Sequence, residues 1–127
     1  MSHTDLAEQL FRAFQSGDDD TARALCSPDL KAIQNHRPAM DLDALLGFNQ
    51  AVQRTVKDFH YADAVRTATP DGFVEEHSVR GTLPDGSALQ IAACVVATVN
   101  NGKITELREY LDGSSARGLI KALAASG

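Results

Sequence analysis

Leu6, Leu10, Phe11 and Phe14 recur at helical spacing. Thr4 or Asp5 before them is a start signal and Gly17 after them a stop. Asp18, Asp19 and Asp20 then cap a short second helix through Ala22, Leu25 and Cys26, where acidic side chains meet the positive end of the helix dipole. Ser27-Pro28-Asp29 breaks the chain. Leu30 to His36 alternates as a strand, with Leu30, Ala32, Gln34 and His36 on one face and Lys31, Ile33 and Asn35 on the other. Pro38 closes it. Asp41 caps a longer helix with the stripe Leu42, Leu45, Leu46, Asn49, Val52 and Val56, and Phe59 marks its end.

The second half reads as strands joined by tight turns. His60 to Thr69 is β-prone. Pro70-Asp71-Gly72 is a turn, since proline pre-sets one φ and glycine supplies the other. Phe73 to Leu83 is the next strand, and Pro84-Asp85-Gly86 repeats the turn chemistry. Ser87 to Val99 is a long strand whose apolar centre, Ile91 to Ala97, predicts cover on both faces. Asn100-Asn101-Gly102 is a hairpin turn, because Asn-Gly tolerates positive φ. Lys103 to Asp112 is the last strand, with Ile104, Glu106, Arg108, Tyr110 and Asp112 on one face. Ser114 or Ser115 caps a final helix carrying Leu119, Ile120 and Leu123. This order predicts an α+β fold: a curved, mainly antiparallel sheet wrapped around the N-terminal helices.

Bulk properties narrow the classes of function. The 127 residues fit one domain, 1–127, large enough to fold without a metal or a disulfide. The apolar share, 43%, is ordinary for a globular chain. The formal net charge is −5 and the twelve Lys and Arg are scattered, which argues against a nucleic-acid groove. Cys26 and Cys94 lie far apart, as expected of reduced thiols in a cytoplasmic protein. Met1-Ser2-His3-Thr4-Asp5 has no basic start with an apolar run behind it, so no signal peptide is expected. The longest apolar stretch, around Ile91 to Val99, is far short of the ~20 residues a spanning helix needs, so no membrane partner is expected. No phosphate loop, dinucleotide fingerprint or metal-ligand spacing appears, and neither cofactor nor metal is expected.

Three ordered motifs carry a resemblance. They are Gly17-Asp18 with Leu25-Cys26-Ser27-Pro28-Asp29; Arg80-Gly81-Thr82 with Asp85-Gly86; and Asn101-Gly102-Lys103-Ile104 with Arg108-Glu109-Tyr110-Leu111-Asp112. Together they resemble the NTF2-like superfamily, which includes SnoaL-type polyketide cyclases, limonene-epoxide-type hydrolases and ketosteroid isomerases. The resemblance implies a cone with an apolar cavity, a hydrophobic small molecule as partner, and a homodimer paired through the sheets. It specifies the fold better than the function.

Three chemistries of that superfamily meet different fates in this chain. The ketosteroid isomerase machinery is absent: Leu10, Gln34 and Ala93 or Cys94 fall where its tyrosine, base and second acid would be. The Arg-x-Asp pair of the epoxide hydrolases is missing, leaving Glu76 and His77 as substitutes. Asp112 matches the terminal Asp that the epoxide hydrolases and the SnoaL-type cyclases share, but the strand before it has no histidine, and His77 sits one strand earlier. The expected catalytic pair is therefore Asp112 and His77. A carboxylate facing an apolar cavity rises toward neutral pKa, and a histidine titrates in the same range. Gln34, His36, Arg80 and Tyr110 are the expected ligand-orienting groups. Each has a plainer reading beside the functional one. Asp112 suits a cap on the final helix. His77 suits a cross-strand charge partner on the sheet surface, and Arg80 a solvated charge. Gln34 and His36 suit a cavity mouth or the surface alike, and Tyr110 suits amphipathic packing.

Overall fold

The first helix is capped by Ser2, ahead of the start signal at Thr4 or Asp5, because a reciprocal pair of hydrogen bonds closes its first turn. Ser2 Oγ accepts from the Asp5 N–H at 3.1 Å and Asp5 Oδ2 accepts from the Ser2 N–H at 3.2 Å. In the computed structural model, which describes residues 1–126, helix α1 spans His3–Ser16 and ends at Gly17 with φ 71°. Asp18 caps α2 (Asp19–Leu25) and Asp41 caps α3 (Leu42–Thr55), each by accepting a backbone N–H three residues on. The remaining elements are β1 (Cys26–Gln34), β2 (Lys57–Thr69), β3 (Gly72–Thr82), β4 (Ala88–Asn100), β5 (Lys103–Leu111) and α4 (Gly113–Ser126). Among the described residues no helix is long and apolar enough to cross a membrane.

The architecture is α+β: four helices and one mixed, unclosed sheet in the order β1-β5-β4-β3-β2. Three neighbouring pairs are antiparallel hairpin partners, and β1 runs parallel to β5. Strand β1 leaves α2 directly, four residues before the expected start at Leu30. Pro28 is tolerated there because β1 is an edge strand, and the register shifts between Cys26 and Lys31. It stops at Gln34 because Asn35 and His36 take left-handed backbone, φ 49° and 61°. Strand β2 likewise begins earlier than expected, with irregularities between Lys57 and His60 and between Ala62 and Val65. Asp58 and Asp63 there have φ 56° and 57°.

The helices cover one face of the sheet. Along β4, Leu89, Ile91, Ala93, Val95 and Ala97 are buried, while Gln90 and Ala92 are exposed and Cys94 and Val96 half-buried. Of the cover expected on both faces of β4, the described residues of this chain supply only the inner one. The outer apolar residues are small.

A second correction concerns β5. Thr98 pairs with Glu106 but Val99 pairs with Ile104, so one extra residue bulges out at Thr105. The bulge reverses the alternation: Ile104 and Leu107 both face the core, Glu109 and Leu111 follow Leu107 inward, and Arg108 and Tyr110 face outward.

The turn at Pro70-Asp71 also differs from expectation. Gly72 does not adopt positive φ; a Cβ there would lie 1.9 Å from the Ala97 carbonyl oxygen, so glycine is required by the close approach of β4. Gly72→Ala is expected to lower the free energy of unfolding by about 2 kcal/mol or more. Gly47→Ala, in open space inside α3, is expected to raise it by ~0.5–1 kcal/mol. Urea denaturation of the two variants checks both signs.

Candidate functional site

Between the helices and the inner face of the sheet lies a cavity of about 120 Å³. Its walls are mostly apolar and include five rings: Phe11 and Phe14 from α1, Phe48 from α3, and Phe59 and Tyr61 from β2. The predicted stripe of α1 places Phe11 and Phe14; Phe48 lies outside the stripe predicted for α3, and Phe59, expected to end that stripe, belongs to β2, which starts early. Tyr61 joins the rings edge-on, 5.3 Å from Phe11 and 5.2 Å from Phe59 between centroids.

Four polar side chains reach this apolar wall: Gln34, Asn49, Tyr61 and Glu109. Asn49 is buried and its Nδ2 donates to the Phe14 carbonyl at 3.0 Å, so it ties α3 to α1. Gln34 and Glu109 are cross-strand partners in the parallel pair, and Gln34 Nε2 donates to Glu109 Oε1 at 2.7 Å. The geometry is fixed one residue further on. Asn35 Nδ2 donates to the Leu111 carbonyl at 3.1 Å and Asn35 Oδ1 accepts from the Leu111 N–H at 3.0 Å, so a side chain extends the ladder that the left-handed backbone ends. Among the described residues no cation pairs with Glu109. Burial pushes the Tyr61 hydroxyl far above the ordinary tyrosine range, and the negative charges of Glu109 and Glu75 push it the same way. Tyr61 therefore stays protonated and can donate.

Behind Tyr61 lies a row of charged and polar groups that no sequence expectation assembled. Glu75 on β3 is fully buried. Its Oε1 accepts from Arg66 Nε at 2.5 Å, and its Oε2 accepts from His77 Nδ1 at 2.6 Å. The His77 ring sits 4.5 Å from Tyr61 and 4.9 Å from Phe11, and its buried Nε2 has no hydrogen-bond partner among the described residues. Arg66 stands opposite Glu75 across the hairpin, partly exposed, and carries the charge of the row toward solvent. The signal for this row was present in the sequence. Counting outward from the Pro70-Asp71 turn pairs Arg66 with Glu75, and Glu75 shares a strand face with His77.

The expected site residues separate. His77 is buried on the inner face, one ring behind the cavity wall. Asp112 is exposed beyond the end of β5, where it accepts from the Ser114 N–H at 3.1 Å and from the Ser115 hydroxyl at 2.7 Å at the start of α4. These bonds hold its carboxyl below the ordinary range, the reverse of the rise expected for an acid facing an apolar cavity. Asp112 and His77 are not brought together. Among Gln34, His36, Arg80 and Tyr110, only Gln34 lines the cavity. His36 is exposed and packs on Tyr110 at 5.3 Å, and Tyr110 faces outward because of the bulge. Arg80 lies on the outer face and pairs with Asp63 at 2.8 Å. Among the described residues no three His, Cys, Asp or Glu side chains gather as a metal-ligand set requires.

The buried row sets a stability test. Arg66→Ala leaves Glu75 buried without its cation and is expected to cost about 3 kcal/mol. Glu8→Ala, which breaks an exposed pair with Arg12 within α1, is expected to cost no more than ~0.5 kcal/mol. Equilibrium unfolding in urea separates the two.

A family model described as SnoaL-like domain matches residues 7–107 of the chain. No curated protein sequence matches it. Among solved structures, a candidate polyketide cyclase from Pseudomonas putida KT2440 is similar at 21% identity and TM-score 0.79, covering 96% of this chain and 98% of that one. PrhC from Penicillium brasilianum NBRC 6234 is similar at 12% identity and TM-score 0.83, covering 98% and 89%. A loop-truncation variant of IdmH is similar at 25% identity and TM-score 0.77, covering 99% and 100%.

Proposed function

The chain belongs to the family of SnoaL-like domains, and on that footing we propose that its cavity binds a hydrophobic small molecule and that Glu109, held by Gln34, moves a proton on it without an added cofactor. One observation carries the reading: a carboxylate fixed by a neutral amide at 2.7 Å in an otherwise apolar, ring-lined cavity. Glu109 Oε1 is occupied by the amide, which leaves Oε2 as the atom to take a proton. The Tyr61 hydroxyl, which stays protonated, supplies a hydrogen-bond donor for negative charge developing on a substrate oxygen. An isomerisation or cyclisation of the cyclase type needs these two roles. His77 enters as a positioning residue. Anchored through Glu75 to Arg66, it backs the Tyr61 ring and fixes where that hydroxyl points.

The alternative is a non-catalytic binding module. It is favoured by the placement of Asp112, the acid on which the superfamily resemblance rests its chemistry, in the cap of α4 and outside the cavity. A thermal-shift panel of steroids, terpene epoxides, aromatic polyketides and fatty acids tests the shared claim. A ligand at 100 times its Kd stabilises the fold by ~2.7 kcal/mol, several degrees for this size. Turnover of the ligand so found then separates the readings. Glu109→Gln is expected to abolish it and Asp112→Asn to leave it intact. Turnover lost in Asp112→Asn and retained in Glu109→Gln would return the acid/base role to Asp112.

We also propose that the protein works in the cytoplasm, where Cys26 and Cys94 stay free, and that two copies pair through the outer face of the sheet. That face carries Val74 opposite Val96, with Ala92 and Cys94 beside them. Sedimentation equilibrium is expected to report a dimer, and Val96→Asp a monomer of unchanged secondary structure.

A further inference from the structure

We propose that the ligand of this cavity is an apolar amine, bound as its ammonium ion. The inference rests on the cavity-binding part of the reading above and not on its proton-transfer step. The cavity presents one carboxylate, and neither lysine nor arginine lines it. Of the lining amides, Asn49 uses its Nδ2 on the Phe14 carbonyl, and Gln34 uses its Nε2 on Glu109. The acceptor oxygens are Glu109 Oε2, Gln34 Oε1 and Asn49 Oδ1; the donors beside them, the Tyr61 hydroxyl and the second N–H of each amide, are neutral. The one formal charge on the wall is thus negative, and a cationic donor answers it best. Phe11, Phe14, Phe48, Phe59 and Tyr61 also line the cavity, and the face of an aromatic ring attracts a cation and repels an anion. Burial is the main cause of the rise of the Tyr61 hydroxyl, and the negative charges of Glu109 and Glu75 add to it. The Glu75 charge is already met by Arg66, whereas that of Glu109 is met only by an amide. An ammonium N–H on Glu109 Oε2 would make a charge-assisted hydrogen bond in a water-poor setting, where such bonds are strongest. The net charge of −5 draws cations to the chain in general. The volume suits a ligand with a single ring, since an apolar cavity on the order of 150 Å³ accepts benzene.

Three matched probes test the idea: 2-phenylethylamine, 2-phenylethanol and 3-phenylpropanoate. They share a ring and a short chain and differ in charge at pH 7. Isothermal titration calorimetry on the wild-type protein is expected to show the amine binding at least ~10-fold tighter than the alcohol, with the carboxylate weakest. Two variants place the preference. Glu109→Gln is expected to cost the amine ~10-fold or more and the alcohol much less. Phe48→Leu, at a half-exposed ring on α3 where folding is not at stake, is expected to cost the amine several-fold and the alcohol less. Circular dichroism accompanies both variants. An alcohol or carboxylate that binds as tightly as the amine would overturn the amine assignment and leave the cavity reading standing. An amine preference that survives intact in both Glu109→Gln and Phe48→Leu would overturn it too. Absence of binding by all three probes, together with a silent thermal-shift panel, would overturn the cavity reading itself.

Discussion

Strand β1 comes from the first third of the chain, yet among the described strands its neighbour in the sheet is β5, about 75 residues further on. That parallel pairing is the constraint on which the rest depends. Closing so long a loop costs entropy, and the cost is offset by the backbone pairing and apolar burial that β1 gains on β5. Once β1 is docked, α1, α2 and α3 must all lie on the side of the sheet from which they depart. The result is a layer of helices over one face, with a cavity where rings from α1, α3 and β2 meet without filling the space. The Asn35 side chain finishes the docking by bonding both backbone groups of Leu111, at the point where the backbone of β1 turns away.

Two carboxylates face this interior under different terms. Glu75 is fully buried and meets an arginine and a histidine, so each of its oxygens has a strong donor. Such a triad is weak evidence for stability, because desolvation of the charges offsets much of their attraction. What it provides is a fixed His77 ring pressed against Tyr61. Glu109 is less buried and meets only an amide. The first carboxylate is completed by the protein, and the second is left with capacity for something else. That difference, more than burial alone, separates a structural acid from a candidate binding or reacting one.

The tier of the structure that depends on neighbours in the chain was legible in the sequence, whereas the face that β5 turns inward was hidden by a single bulge. The alternation rule assigns Glu106, Arg108, Tyr110 and Asp112 to the face of Ile104. The extra residue at Thr105 passes the inward face to Leu107, Glu109 and Leu111. One inserted residue thus moved the acid of interest from Asp112 to Glu109. Asp112 itself was legible as a cap, from the serines that follow it. Gln34, expected to orient a ligand, lines the cavity, while His36, two residues on, is carried away by left-handed backbone that no period predicts. Arg66 and Glu75 were legible in principle, by counting from the turn, but nothing in their own types marked them as paired.

By itself the sequence determined the elements, their order, the places of the turns and the α+β class, because those follow from periodicity, caps and the backbone preferences of Pro, Gly and Asn, all of which act over a few residues. It also determined that His77 and Glu75 share a strand face. Tertiary structure alone decided that β1 lies parallel to β5, that Gln34 therefore meets Glu109, that β5 bulges at Thr105, and that the described residues cover only the inner face of β4. Each of these is a choice of partner across the chain, settled by which pairing buries the most apolar surface while satisfying the backbone, and that competition leaves no local pattern in the residues that take part in it.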